Sequence, residues 1–200
     1  AIDRLVKKGA SEALPDQTLI LYISPLKALT NNIQKNLLEP LSEIQQERND
    51  INFNLPDIHS IVRTGDTLPR QRRRMGQQPP HILVTTPESV FILLTREGER
   101  QILKDVRTVI VNEIHALPRD KRGAYLSLSL ERLEELTEKP IQRIGLSATQ
   151  KPIESIANFL AGPSRPVTIV VIGHRCEMQL AVEVPRDKLG TVASNEMWEN

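Results

Sequence analysis

Cysteine is nearly absent from this sequence of 200 residues, because Cys176 is the only one. A single cysteine cannot form an intrachain disulfide, which excludes a secreted scaffold held together by disulfides. No apolar run approaches the roughly 18 residues of a membrane-spanning helix, and the first residues, AIDRLVKKG, lack the layout of a signal peptide. We therefore expect a cytoplasmic protein that does not enter a membrane.

Aromatic residues and excess charge are also scarce. One Trp, two Tyr and three Phe leave few side chains on which bases could stack. The formal net charge of +1 is too small to attract a polyanion through a global field, so any nucleic-acid surface must be a local patch. The hydrophobic fraction of 39% is that of a globular chain, and the length suffices for a full core.

Short apolar runs alternate with helical patterns along the chain. This alternation predicts an α/β fold with a mainly parallel sheet flanked by helices. Ser24-Pro25 and Thr86-Pro87 each place a hydroxyl and a proline where a helix starts after a strand. The predicted strands are residues 18–23, 59–63, 81–85, 106–111, 141–146 and 166–172, and further helices are predicted at residues 1–8, 69–75, 125–136 and 152–160.

Polar residues gather at the end of the predicted strand at 106–111, where Asn112, Glu113 and His115 directly follow an apolar run. Ligands of open α/β sheets bind just beyond the carboxyl ends of the strands. This stretch is therefore the first candidate site. The alternative is an ordinary strand that leaves the core through a charged turn.

Five motifs follow predicted strands, namely SPLKAL at 24–29, TGD at 64–66, TTPES at 85–89, NEIH at 112–115 and SAT at 147–149. In this order they resemble motifs Ia, Ic, Ib, II and III in the first RecA-like domain of a superfamily-two helicase. The sequence segments SPLKALTNN, RTGDT, TTPESV, DKRGAYLSLSLERL and LSAT are similar to those of the large helicase-related, or Lhr-like, proteins. The resemblance extends over nearly the whole chain.

The resemblance implies a domain organisation and an activity. It implies a partial RecA-like domain of the P-loop NTPase type at residues 1–172 and a linker strand at residues 173–200 that leads to a missing second RecA-like domain. The parent enzyme would couple ATP hydrolysis to movement along single-stranded DNA or RNA and to duplex unwinding. The chain starts without Met inside a helical pattern and ends on another, SNEMWEN, so we expect a piece of a longer protein.

The NEIH and SAT motifs imply the catalytic residues. In the family, the position of Glu113 aligns the water that attacks the γ-phosphate or accepts its proton. His115 couples the nucleotide site to the hydroxyls of Ser147 and Thr149 or to the second domain. Taken alone, SAT is more simply a strand-to-helix turn with capping hydroxyls.

The position of Asn112 normally carries an aspartate that holds hydrated Mg²⁺ beside the nucleotide, and here the metal position is degenerate. An amide lacks the negative charge that hard divalent cations favour, so we expect weakened metal-dependent hydrolysis while nucleotide binding survives. Three interpretations of Asn112 remain open, an engineered trap, a natural inactive form and a tolerated variant.

The remaining motifs imply a track for nucleic acid. Each lies where a helix starts after a strand, and free backbone N–H groups there suit a phosphate. Such contacts hold the backbone and read no bases, so we expect sequence-independent binding to a single strand. Taken alone, each Ser-Pro or Thr-Pro pair is plain helix capping. The residues implied are Pro25, Lys27 and Ala28, then Thr64, Gly65 and Asp66, then Thr86, Pro87 and Glu88, with the Lys27 charge and the Thr64 and Thr86 hydroxyls as donors.

A basic segment, PRQRRRM at 69–75, follows the TGD motif. Arg70, Arg72, Arg73 and Arg74 have two interpretations of equal weight. They extend the track, because arginine favours phosphate, or they form a solvated helix face.

No Gly-x-x-x-x-Gly-Lys-Ser/Thr loop occurs in the sequence, so nothing here wraps the β- and γ-phosphates with backbone amides and a lysine. The resemblance implies ATP and Mg²⁺ as cofactors of the full-length parent, and this chain, which lacks the loop, should not hydrolyse ATP alone. In RecA-like sheets the strand that feeds this loop lies beside the SAT strand. Its absence would leave residues 141–146 as an unpaired edge and residues 166–172 without a neighbour, which predicts marginal stability or self-association.

Two other functions compete with the Lhr-like helicase. One is a catalytically inactive nucleic-acid-binding or scaffold protein in which Asn112 and the lack of a phosphate loop are natural. The other is another translocase of the same superfamily, such as a nuclease-associated motor. An in-frame phosphate loop upstream of Ala1 would support an enzyme, a start codon close to Ala1 would support the scaffold, and downstream domains would identify the kind of motor.

Overall fold

The computed structural model describes residues 2–11, 13–25, 39, 57–148, 151–162 and 165–171. Their strands are β1 (Ile20–Ile23), β2 (Ser60–Arg63), β3 (Ile82–Thr85), β4 (Thr108–Val111) and β5 (Gln142–Gly145). Their helices are α1 (Ile2–Ser11), α2 (Pro69–Gln77), α3 (Pro87–Thr95), α4 (Glu97–Arg100), α5 (Lys121–Leu136) and α6 (Ile153–Ala161), with 3-10 turns at Gln101–Leu103 and Ile114–Ala116. The helix predicted after Ser24-Pro25 lies outside the described residues.

The five strands form one parallel sheet in the order β2-β3-β1-β4-β5. This arrangement confirms the predicted α/β class. The register pairs Arg63 with Thr85, Thr85 with Ile23, Ile23 with Val111, and Val111 with Gly145. The last residues of all five strands therefore form a single row across the sheet.

Alternation along the strands divides the apolar side chains between the two faces of the sheet. Leu21 and Ile23 of β1 pack on one face with residues of α2, α3, α5 and α6, while Ile20 packs on the other face with Leu5 of α1. Full burial of each such side chain contributes about 1.5–3 kcal/mol. The first core includes Leu21, Ile23, Met75, Leu83, Val90, Leu93, Val109, Val111, Leu126, Leu130, Leu133 and Leu160, and the second includes Leu5, Leu19, Ile20, Ile58, Ile82 and Val84.

The strand predicted at residues 166–172 is wrong for residues 166–171, which the structure describes without a strand. Within the described sheet β5 is an outer strand and pairs with β4. Residues 166–171 pair with none of the described strands, so their backbone groups have no partner in that sheet. Val167 and Ile169 are accordingly 39% and 40% exposed. The predicted edge at β5 is thus confirmed for the described sheet.

Two compact units make up the chain, Ala1–Ile169 and Val170–Asn200. All the strands and helices named above lie in the first unit. The boundary predicted between residues 172 and 173 stays a prediction. Over the residues that the structure describes, no helix has both the length and the apolar character to cross a membrane.

Candidate functional site at the carboxyl rim of the sheet

The row of strand ends places the predicted site residues along one rim. Thr64 follows β2, Thr86 follows β3, Ser24 follows β1, Asn112 follows β4, and the SAT motif comes two residues after β5. The rim therefore has a track half, formed by the segments after β2, β3 and β1, and a nucleotide half, formed by the segments after β4 and β5. Lys27, Ala28 and Thr149 lie outside the described residues.

In the nucleotide half, His115 bridges the NEIH and SAT motifs. Its Nε2 atom is 3.4 Å from Oε2 of Glu113. Its Nδ1 atom is 3.3 Å from Oγ of Ser147 and accepts a hydrogen bond from the backbone N–H of Ala148 at 3.4 Å. The structure thus brings together three of the four predicted catalytic residues.

These contacts determine where the imidazole of His115 carries its proton when it is neutral. Nδ1 accepts from the Ala148 N–H, so the proton resides on Nε2. Nε2 faces the carboxylate of Glu113 and can donate to it. His115 therefore orients Glu113 from one side while its other nitrogen holds the start of the SAT segment.

The backbone of Glu113 adopts a left-handed conformation with φ of 49°. A non-glycine residue in this region carries a local strain of about 1–3 kcal/mol and tends to mark a functional site. Its neighbours explain how the strain is held. Asn112 donates its N–H to Ile23 O at 2.8 Å, Ile114 donates to Leu146 O at 3.0 Å, and the Ile114 side chain is buried.

The pKa of Tyr22 in β1 is affected by the charge of Glu113. Burial raises the pKa of the Tyr22 hydroxyl, and the negative charge of Glu113 raises it further. The Glu113 carboxylate thus acts on the central strand of the sheet as well as on His115. The sequence pattern gave no sign of this role for Tyr22, because Tyr22 belongs to an apolar strand and its effect depends on the position of Glu113 in the fold.

The donors at the nucleotide half are few for a divalent cation. Glu113 supplies a carboxylate, and Asn112 supplies a neutral carboxamide. Among the described residues no group of three or more His, Cys, Asp or Glu is arranged to hold a metal ion. Mg²⁺ in nucleotide sites uses one or two carboxylates together with substrate phosphates. With one carboxylate and one amide, the described residues do not form a Mg²⁺ site without substrate phosphates, so the chemistry considered below is that of the chain's own side chains.

In the track half, two arginines brace the TGD segment. Arg72 of α2 donates from Nε to Thr67 O and from a terminal nitrogen to Gly65 O, both at 2.9 Å. Arg63, the last residue of β2 and 3% exposed, donates to Ser89 O of α3 at 3.2 Å and pairs with Glu99 of α4. The TGD segment is therefore held against both α2 and α3.

The Thr64 hydroxyl shapes the same turn by accepting a hydrogen bond from the Asp66 N–H at 3.4 Å. The Thr86 hydroxyl caps α3, accepting from the Ser89 N–H at 3.4 Å, and Thr86 is only 6% exposed. The predicted cap is confirmed. The Thr86 hydroxyl also donates to Ser89 Oγ at 3.2 Å, and its role toward nucleic acid stays a prediction.

Arg122 at the start of α5 joins two segments of the track half. Its guanidinium pairs with the carboxylate of Glu88 and donates to the backbone carbonyl of Pro25. Burial would raise the pKa of Glu88, but hydrogen bonding and the charge of Arg122 outweigh it and hold that pKa below its usual value. Sequence reasoning assigned Arg122 no role, although the DKRG segment that contains it was visible.

The DKRG segment explains how Arg122 reaches this position. Asp120 caps α5, and its carboxylate accepts from the N–H groups of Arg122 and Gly123 at 2.8 and 3.2 Å. Gly123 lies against the backbone of Leu117, where a Cβ atom would come within 2.9 Å of the Leu117 carbonyl carbon. A residue without a side chain is therefore required for α5 to start this close to the rim.

Comparisons with known proteins agree with this geometry. The model of the DEAD/DEAH box helicase family matches residues 2–156. The chain is 46% identical over 199 residues to an Lhr helicase of Mycolicibacterium smegmatis, covering 99% of this chain and 13% of that protein. It is 44% identical over 196 residues to the ATP-dependent helicase Lhr-Core of Methanocaldococcus jannaschii, covering 98% of this chain and 23% of that protein.

A solved structure adds the fold. The Mycobacterium smegmatis helicase Lhr bound to ssDNA and AMP-PNP superimposes with a TM-score of 0.75 at 50% identity, covering 84% of this chain and 21% of that one. The chain thus spans less than a quarter of the length of these relatives. By its motifs, its sheet and its match to the family model, the chain belongs to the DEAD/DEAH box helicases.

Proposed function

We propose that this chain is part of the first RecA-like domain of a longer, Lhr-type ATP-dependent helicase that moves along single-stranded nucleic acid and separates duplexes. The observation that carries the proposal is the single row of five strand ends, in which the NEIH and SAT segments lie on the same rim as the TGD and TTPES segments, with β1 between them. Support comes from the relatives named as ATP-dependent helicases and from the Lhr structure bound to ssDNA and AMP-PNP.

The length of the relatives supports a longer protein. The chain covers 13% to 23% of the two curated relatives described above, so most of such a protein lies outside it. We assign residues 1–172 to the partial RecA-like domain and residues 173–200 to a linker toward a second RecA-like domain. A single cysteine in 200 residues suits a compartment that keeps thiols reduced, which supports a cytoplasmic location.

In the nucleotide half, Glu113 orients the water that attacks the terminal phosphate of ATP and accepts its proton. His115 acts as a positioning residue, because its Nε2 proton faces Glu113 while Nδ1 holds Ala148. Ser147 supports the same imidazole at 3.3 Å. A movement of the SAT segment would therefore change the orientation of Glu113.

In the track half, the segments at Pro25, Thr64 to Asp66 and Thr86 to Glu88 hold the sugar-phosphate backbone of a single strand. Arg122 supports this assignment, because it removes the net negative charge that Glu88 would otherwise present to a phosphate. It also lies on the helix that follows the NEIH motif and touches two track segments. The same side chain thus offers a mechanical connection between the two halves of the rim.

The decisive experiment concerns Asn112 in the full-length protein. We expect Asn112→Asp to raise nucleic-acid-stimulated ATP hydrolysis at low Mg²⁺, because a carboxylate binds a hard cation better than an amide. Adding Glu113→Gln to the Asn112→Asp protein should abolish that hydrolysis and keep single-strand binding. An unchanged rate in Asn112→Asp would mean that our account of the metal position is wrong.

One specific observation favours a second candidate, a catalytically inactive nucleic-acid-binding or scaffold protein. Asn112 stands where the family carries the metal-binding aspartate. The same experiment separates the two candidates. If the Asn112→Asp protein binds single-stranded nucleic acid without hydrolysing ATP, the scaffold is supported and the helicase is not.

A further inference from the structure

The described track residues carry no positive side chain of their own. Asp66 and Glu88 contribute negative charge, and Arg122 is already engaged by Glu88 and the Pro25 carbonyl. A phosphate backbone needs cations to replace its counterions when it binds a protein. Lys27 lies outside the described residues, and among those described further positive charge for this track comes from neighbouring elements, of which α2 begins three residues after Asp66.

Helix α2 separates its residues into an inner and an outer face. Met75 is 1% exposed and packs in the first core, and Arg72 points to the TGD segment through its bonds to Gly65 and Thr67. The remaining arginines, at helical spacings that place them together on the other side, are exposed. An open groove of about 780 Å³ lies against this outer face, lined by Pro69, Arg70, Arg73, Arg74, Gln77 and Gln78.

The outer arginines differ from most others in the described part of the chain. Arg63, Arg96, Arg100, Arg122, Arg143 and Arg165 all form ion pairs with glutamates. Within those same described residues, Arg70, Arg73 and Arg74 have no ion pair, and the first turn of α2 contains no acidic residue. Like charges three and four residues apart destabilise a helix, and a bound anion would offset this local cost.

We propose that the outer face of α2, formed by Arg70, Arg73 and Arg74, is a phosphate-binding surface that continues the track beyond the TGD segment. Each guanidinium can hold a phosphate in a bidentate manner and without regard to base sequence. Arg72 sets the position of this surface relative to the TGD segment. The ligand is the sugar-phosphate backbone of the same single strand, so the inference rests on the proposed function.

The salt dependence of binding tests this surface. The full-length protein is titrated against a fluorescently labelled oligothymidine at several salt concentrations. Arg70→Gln/Arg73→Gln should reduce the slope of log affinity against log salt by about 1.4, because each phosphate that a cation neutralises on a single strand contributes about 0.7. Arg70→Lys/Arg73→Lys, which keeps both charges, should retain the slope.

The control removes the same charge from the opposite rim. Lys104 and Lys139 are exposed and precede β4 and β5, so Lys104→Gln/Lys139→Gln should leave the slope unchanged. The proposal for the α2 surface alone is overturned if Arg70→Gln/Arg73→Gln keeps the wild-type slope. It is overturned equally if Lys104→Gln/Lys139→Gln loses as much slope as Arg70→Gln/Arg73→Gln. A wild-type protein that does not bind oligothymidine at all overturns the proposed function as well.

Discussion

Arg122 holds the carboxylate of Glu88 across 34 positions of sequence and in doing so ties the start of α5 to the start of α3. The same guanidinium reaches Pro25 after β1. Since α5 follows the NEIH segment along the chain, a shift in the nucleotide half has a direct route into the track half. The pair also compensates charge at the rim, because Glu88 remains ionised under the influence of Arg122.

Replacing Arg122 by Gln should raise the pKa of Glu88. Burial raises that pKa, whereas the hydrogen bond and charge of Arg122 lower it together with hydrogen bonds from the backbone and Thr86, so loss of the cation removes part of the lowering. In the wild type the ion pair between Arg122 and Glu88 is fully present at neutral pH. It is lost as the pH falls through the depressed pKa of Glu88. Carboxyl NMR of Glu88 during a pH titration measures both values.

The matched control is Arg119→Gln, an exposed arginine in the loop before α5. It removes the same charge and should leave the titration of Glu88 close to that of the wild type. The Arg122→Gln protein should in addition lose stimulation of ATP hydrolysis by single strands more than it loses basal hydrolysis. A Glu88 titration that is the same in wild type and Arg122→Gln would contradict the pairing.

His115→Ala should slow stimulated ATP hydrolysis in full-length protein that carries Asn112→Asp. The substitution removes the contacts of the imidazole with Glu113, Ser147 and Ala148. A hydrogen bond worth about 1 kcal/mol corresponds to a rate loss of roughly five- to tenfold. Steady-state kinetics should show the loss in kcat rather than in KM for ATP, because His115 acts on Glu113.

Ser147→Ala is the partial counterpart of this change. It removes one contact at 3.3 Å and leaves the Ala148 N–H bound to His115, so its rate should lie between those of the wild type and His115→Ala. If Ser147→Ala were as slow as His115→Ala, the hydroxyl rather than the imidazole would connect the two motifs.

Gly123→Ala should destabilise the chain by about 1–3 kcal/mol, because its methyl group would overlap the backbone of Leu117 and push the start of α5 away from the rim. Gly76→Ala in α2 is the matched control. A methyl group there meets nothing within 4 Å, so the change should be neutral or stabilise the helix by up to about 1 kcal/mol. Urea unfolding of both variants measures the two effects, and equal stabilities would disprove the packing argument.

The chain expressed alone should self-associate with increasing concentration. Within the described sheet β5 is an outer strand, and an uncovered edge offers hydrogen-bonding groups to a second copy. Leu146→Lys, next to this edge and 46% exposed, should reduce association, whereas Leu128→Lys on α5, 52% exposed, should not. Sedimentation velocity measures both, and a stable monodisperse wild-type monomer would exclude the idea.

Local patterns were sufficient to predict the order of the five strands and of α1, α2, α3, α5 and α6, whereas the short helix α4 was not predicted. The apolar run Val109, Ile110 and Val111 predicted a strand covered on both faces, and in β4 the two valines are buried while Ile110 is half-buried. Thr86-Pro87 predicts a helix start that the capped α3 confirms. The predicted strand at 166–172 failed over residues 166–171 because strand formation depends on a neighbour, which no local pattern reports.

Distances between the motifs were decided by the tertiary structure alone. The amino-acid sequence determined which residue types follow each strand, since composition and spacing are properties of the chain itself. The parallel register then brought Glu113, His115 and Ser147 within contact distance. It also allowed Arg122 to reach Glu88 and Pro25. Such contacts join residues far apart in the chain, so they arise from packing, which no window of sequence contains.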